Sequence, residues 1–137
     1  MRKAIILIVV CISLFSCGKG GSPVPSVPVN YSGEIFSPPL NKLSNGGPPV
    51  FINGYGVAGI IIYKTFQGNY VAYDRCSSYQ PEKKCAVNLD DSGVTLVDPC
   101  SGSKFSLEDG TPVKAPAVKA LRVYQVIIGQ YTLQVVN

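Results

Sequence analysis

The chain is 137 residues, the size of one domain, with 12 basic and 8 acidic residues, five cysteines and no histidine. The missing imidazole excludes every nucleophile–base pair and every ligand set that requires histidine. No basic run is interleaved with aromatics, the lone pair Lys83-Lys84 reads as solvated surface, and no phosphate loop or dinucleotide fingerprint occurs, so nucleic acid is excluded as a partner.

Arg2 and Lys3 precede an apolar run over residues 4–15, too short to cross a bilayer as a helix but suited to the core of a signal. The run ends in Leu14-Phe15-Ser16-Cys17, which resembles a bacterial lipoprotein signal, with Phe15 bulkier than usual. Residues 1–16 are then a signal peptide, and Cys17 is the lipidated first residue of the mature chain. The other reading is an ordinary secretory signal in which Cys17 is incidental. The resemblance implies several acyl chains, enough for stable attachment where a single chain is marginal. The expected partner is therefore a membrane, reached through the N-terminal lipid, in a bacterial cell envelope. Lys19 does not resemble the aspartate that retains some lipoproteins at the inner membrane, which points to the outer membrane. Loss of Arg2 and Lys3 leaves 10 basic against 8 acidic residues, a net charge of +2, so much of the basicity is targeting signal.

Residues 17–47 form the acylated cysteine, a Gly/Ser/Pro-rich tether and an irregular lead-in, in which Tyr31, Ile35, Phe36 and Leu40 could dock on the domain and one short edge strand has room. Residues 48–137 form the domain. Its predicted strands are residues 50–52, 60–63, 70–73, 85–89, 94–97, 105–107, 121–128 and 131–136, separated by Gly, Asn and Asp turns such as Asp90-Asp91-Ser92-Gly93 and Glu108-Asp109-Gly110. No stretch of the mature chain has helical periodicity. The fold class is all-β, a small antiparallel sandwich or barrel. The tyrosines read as core or edge packing.

Four passages share one resemblance. Residues 59–63 and 70–76 (GIIIY, YVAYDRC) are similar to the strands entering the first cluster loop of Rieske iron–sulfur domains. Residues 98–110 (DPCSGSKFSLEDG) resemble the second loop and its following strand. Residues 114–121 (KAPAVKAL) and the final hairpin resemble what comes after. The resemblance spans about residues 48–137. It implies a Rieske-like fold whose two loop tips, Cys76 to Tyr79 and Asp98 to Lys104, form the former cluster site and an exposed interaction surface.

It also implies which residues stand at the ligand positions: Cys76, Ser78, Asp98 and Ser101. A Rieske centre takes two cysteines and two histidines. Serine and aspartate offer hard oxygen donors, a poor match for iron–sulfur chemistry. The expectation is no cofactor, with 2Fe-2S or zinc as the alternative. Gly102 can take positive φ and Pro99 restrains the same turn, so the loop can persist without a cluster.

Some Rieske proteins tie their two loops with a disulfide. Cys100 stands at its second-loop position, and Pro81 occupies the usual place of the partner. Cys85 is the nearest candidate, and a hairpin tip at Asp91-Ser92 would set it near Asp98. The rival pair is Cys76 with Cys100. A metal site of Cys76, Cys85, Cys100 and Asp98 would suit zinc, although no Cys-x-x-Cys chelate is present. Cys76 as a redox-active thiol has only Arg75 to lower its pKa. The functional expectation is a lipid-anchored binding or structural module with an envelope protein as possible partner, not an enzyme. The alternative is an electron-transfer component of an oxidoreductase, or a metal-binding protein, using the remaining thiolates.

Overall fold

A computed structural model describes residues 21–137. The expected signal peptide, the expected lipidation site Cys17 and the start of the tether lie outside the described residues. The described chain is all-β, as read from the sequence. One antiparallel sheet runs β1 (Asn30–Glu34), β10 (Thr132–Val136), β9 (Val123–Ile128), β4 (Tyr70–Asp74), β3 (Ile60–Lys64), β2 (Val50–Ile52). A smaller one runs β5 (Asn88–Leu89), β6 (Thr95–Val97), β7 (Lys104–Ser106), β8 (Pro112–Lys114).

The apolar run in β3 follows from its place between two cores. Alternate side chains of a strand point to opposite faces. Ile60 and Ile62 enter a core with Leu40, Leu43, Ala72, Tyr124, Leu133 and Val135, while Ile61 and Tyr63 face a second core with Tyr73, Leu96, Phe105 and Leu107. Tyr31, Tyr63, Tyr73 and Tyr124 are buried, so half of the eight tyrosines are core.

The packed unit does not begin at residue 48, as the sequence pattern suggests; it extends back to Val24. Val24, Val29, Tyr31, Ile35, Leu40 and Leu43 are buried, and β1 pairs with β10 from Asn30↔Val136 to Glu34↔Thr132. Burying each such side chain contributes about 1.5–3 kcal/mol, which outweighs the Pro/Gly-rich composition of this stretch. Arg122 secures it, donating from Nε to the Val24 carbonyl at 2.7 Å and from Nη2 to the Ser22 carbonyl at 3.4 Å.

The strand expected over residues 85–89 shrinks to Asn88–Leu89. Its first half is bonded to the loop before it: the Val87 amide donates to the Arg75 carbonyl at 2.7 Å, and the Cys85 carbonyl accepts the Ser77 amide at 2.8 Å. β8 is an unforeseen edge strand, and an edge is where a strand tolerates a proline such as Pro112.

Candidate functional site

β4 delivers Asp74 to the start of the first loop. Its fully buried carboxylate accepts the Val57 amide at 2.6 Å, the Ala58 amide at 3.2 Å, the Cys76 amide at 2.7 Å and the Tyr124 hydroxyl at 2.6 Å. Burial, then this hydrogen bond, push the Tyr124 phenol up. Arg75, next in sequence, stacks over the Phe51 ring at 4.8 Å and donates to Val87 O and Asn88 Oδ1. The two side chains fix both ends of the first loop to the larger sheet and to β5.

Cys76 is a free, fully buried thiol. Its Sγ lies 3.5 Å from the Pro81 carbonyl and 3.6 Å from that of Ser77. Burial, then the charges of Asp74 and Asp98, push its pKa up to about 11. Such a thiol is inert at neutral pH. Ser78 is buried two residues on and donates to the Lys119 carbonyl at 2.6 Å.

The second loop is closed by its own backbone. The Asp98 amide donates to Ser103 O and the Gly102 amide to Asp98 O, each at 2.8 Å. Gly102 sits at φ 76°, the positive region expected of it. The buried Asp98 carboxylate accepts the Cys100 amide at 2.8 Å and the Ser101 hydroxyl at 2.7 Å. Burial raises the Asp98 pKa, but hydrogen bonds from Ser101, Ser77 and the loop amides outweigh it, leaving the carboxyl below its ordinary value. Ser101 Oγ lies 2.8 Å from Ser103 Oγ, which accepts the Ala117 amide at 2.9 Å. A third segment, residues 115–120, thus touches the first loop through Lys119 and the second through Ala117.

A Cys85–Cys100 disulfide joins the two loops, with Cα atoms 6.2 Å apart. The rival Cys76–Cys100 pair does not form. The observed register sets Asn88 opposite Val97 and Leu89 opposite Leu96; carried outward, it places Cys85 opposite Cys100, not Asp98. Of the four residues proposed for zinc, Cys85, Asp98 and Cys100 bring their ligand atoms within 4.8 Å of one another, and Cys76 is not in that group. Two of the three are committed to the disulfide and offer no thiolate while it is intact.

No protein-family model and no curated protein matches this chain. Solved structures do. The cyanobacterial plasma membrane Rieske protein of Synechocystis PCC 6803 superposes with a TM-score of 0.54 at 20% identity, over 80% of this chain and 98% of that one. The fold is Rieske-like. A second likeness is the ferredoxin of carbazole 1,9a-dioxygenase from Nocardioides aromaticivorans IC177, with a TM-score of 0.50 at 18% identity, covering 80% of this chain and 97% of that one.

The donor set of this Rieske-like domain does not fit a Rieske cluster. The chain has no histidine for the second iron. Ser78 Oγ is engaged by Lys119, and Ser101 Oγ and both Asp98 oxygens are engaged within the second loop. Cys76 alone carries sulfur among the four positions.

Four residues that organise the site were not singled out from the sequence: Asp74, Ser77, Ser103 and Tyr124. Asp74 carries a faint signal, as an acid ending an otherwise apolar strand. The two serines carry none, because only the closed loops bring them to their partners.

Proposed function

We propose that this protein is a lipid-anchored module of the bacterial cell envelope, a Rieske-like domain that has lost its cluster ligands and works by binding or by structural support. The hydrogen bonding of Asp98 carries this reading: its carboxylate is held by Ser101 Oγ and the Cys100 amide, so protein bonds supply what would otherwise link the second loop to a metal. Lipidation at Cys17 and placement at the outer membrane rest on the signal alone. An envelope protein is the expected partner. The first loop tip expected to meet it is buried at Cys76, Ser77 and Ser78, held down by its bonds to Pro81 and Lys119, so the exposed part of the two tips is the second loop at Pro99 and Cys100.

Electron transfer is the second reading, supported by the likeness to a Rieske protein and a ferredoxin. A metal held by thiolates is its variant, supported by the proximity of Cys85, Asp98 and Cys100. Elemental analysis and visible absorbance of the purified full-length protein separate these readings. A colourless, folded, metal-free sample is expected. Stoichiometric iron with visible absorbance, or stoichiometric zinc, would overturn the first reading.

A further inference from the structure

β4 runs toward the first loop, and β9 is antiparallel to it, so Arg122, just before β9, lies at the loop pole of the larger sheet. β10 returns to that pole, where the Asn137 side-chain amide donates to Ser26 Oγ at 2.9 Å and Val27 O at 2.7 Å. The N-terminal segment therefore reaches the domain at this same pole, under Arg122. Lys119 is three residues from Arg122 and so within about 10 Å of it, and it touches Ser78 of the first loop.

The exposed side chains of the loops at this pole are mainly cationic, with one large apolar residue among them in sequence. Lys83, Lys84 and Lys119 are exposed, Val118 is 79% exposed, and Glu82 is the sole acid in the first loop between Arg75 and Val87. The packed unit starts at Val24, so six residues lie between it and Cys17, and these seven Cα steps reach at most about 25 Å. A domain starting at residue 48 would be held by a tether of about 100 Å and could face any direction.

We propose that this pole seats on an anionic lipid bilayer, with Lys83, Lys84 and Lys119 against headgroup phosphates and Val118 between them. The inference rests on lipidation at Cys17. The short connection holds the lysines near the bilayer, and charge complementarity orients the domain, since attraction to an anionic surface fades within a Debye length.

The test uses the processed full-length protein in vesicles of phosphatidylcholine, alone or mixed with phosphatidylglycerol. Lysine methylation is read by mass spectrometry. Lys83, Lys84 and Lys119 are expected to label about fivefold more slowly on the mixed vesicles, with protection lost in high salt. Lys64, paired with Tyr70 at the opposite end of β3, serves as the reference and labels equally on both. Equal labelling of all four lysines on both vesicles would overturn the inference and leave the pole to a protein partner. Equal protection on both vesicles would overturn the anionic headgroup as ligand. An N-terminal peptide without acyl mass would overturn the anchor reading, and this inference with it, before any vesicle is made.

Discussion

The Ser101 hydroxyl donates to the buried Asp98 carboxylate at 2.7 Å, joining two positions that, by the Rieske resemblance, stand where ligands of two different irons would be. Asp98→Ala would leave Ser101 Oγ and the Cys100 amide without their acceptor. A loss of about 2–4 kcal/mol is expected in chemical denaturation, and Ser101→Ala should cost about 1 kcal/mol.

The same carboxylate sets an acid limb. Its folded pKa is lowered, so the stabilisation is present above the unfolded value, about pH 4, and is lost as pH falls through the folded value. Thermal unfolding followed through this range should show a steeper decline in the wild type than in Asp98→Asn. Parallel curves would remove Asp98 from the explanation.

The Cys85–Cys100 bridge closes a loop with a sequence separation of 15. Breaking it with Cys85→Ser and Cys100→Ser together should cost about 3 kcal/mol on the chain-entropy account. Mass spectrometry of the unreduced, protease-cut protein should show these two peptides linked. A linkage through Cys76 would contradict the structure.

Cys76 sets a limit at the other end of the pH scale. Its folded pKa is raised from 9.0 to about 11, so stability is full below the unfolded value and falls as pH rises from there through the folded value. Cys76→Ala should remove part of the alkaline slope. Alkylation at neutral pH should proceed only on unfolding, and fast labelling of the folded protein would show the thiol to be accessible.

A chain beginning at residue 48 lacks β1 and the buried Val24, Val29, Tyr31, Ile35, Leu40 and Leu43. It should show no cooperative thermal transition, whereas a chain beginning at residue 21 should unfold as the mature protein does. Matching melting curves for the two would refute the contribution of the N-terminal segment.

The sequence carried the centre of the fold and blurred its margins. Ile60-Ile61-Ile62-Tyr63 is legible because a strand between two cores needs apolar side chains on both faces. β1 is faint because Tyr31 is its one large apolar residue and its other contribution is backbone pairing. The disulfide partners were legible, but the expected hairpin centre was off. The turn pivots between Ser92 and Gly93, with Gly93 at φ 75°, so every cross-strand partner moves by two residues from that expected for an Asp91-Ser92 tip. The cross-loop bonds of the site join residues far apart in the chain, such as Ser78 to Lys119 and Ala117 to Ser103, and no local pattern announces them.

Asn137 clasps Ser26 and Val27, so the chain just beyond β10 and the incoming N-terminal segment share one pole. A fluorescent protein or affinity tag fused after Asn137 would compete for that clasp. In a lipid-held chain it would also be wedged between the domain and the bilayer. The turn at Gly129-Gln130 is exposed and lies at the opposite pole, which makes it the better place for a reporter.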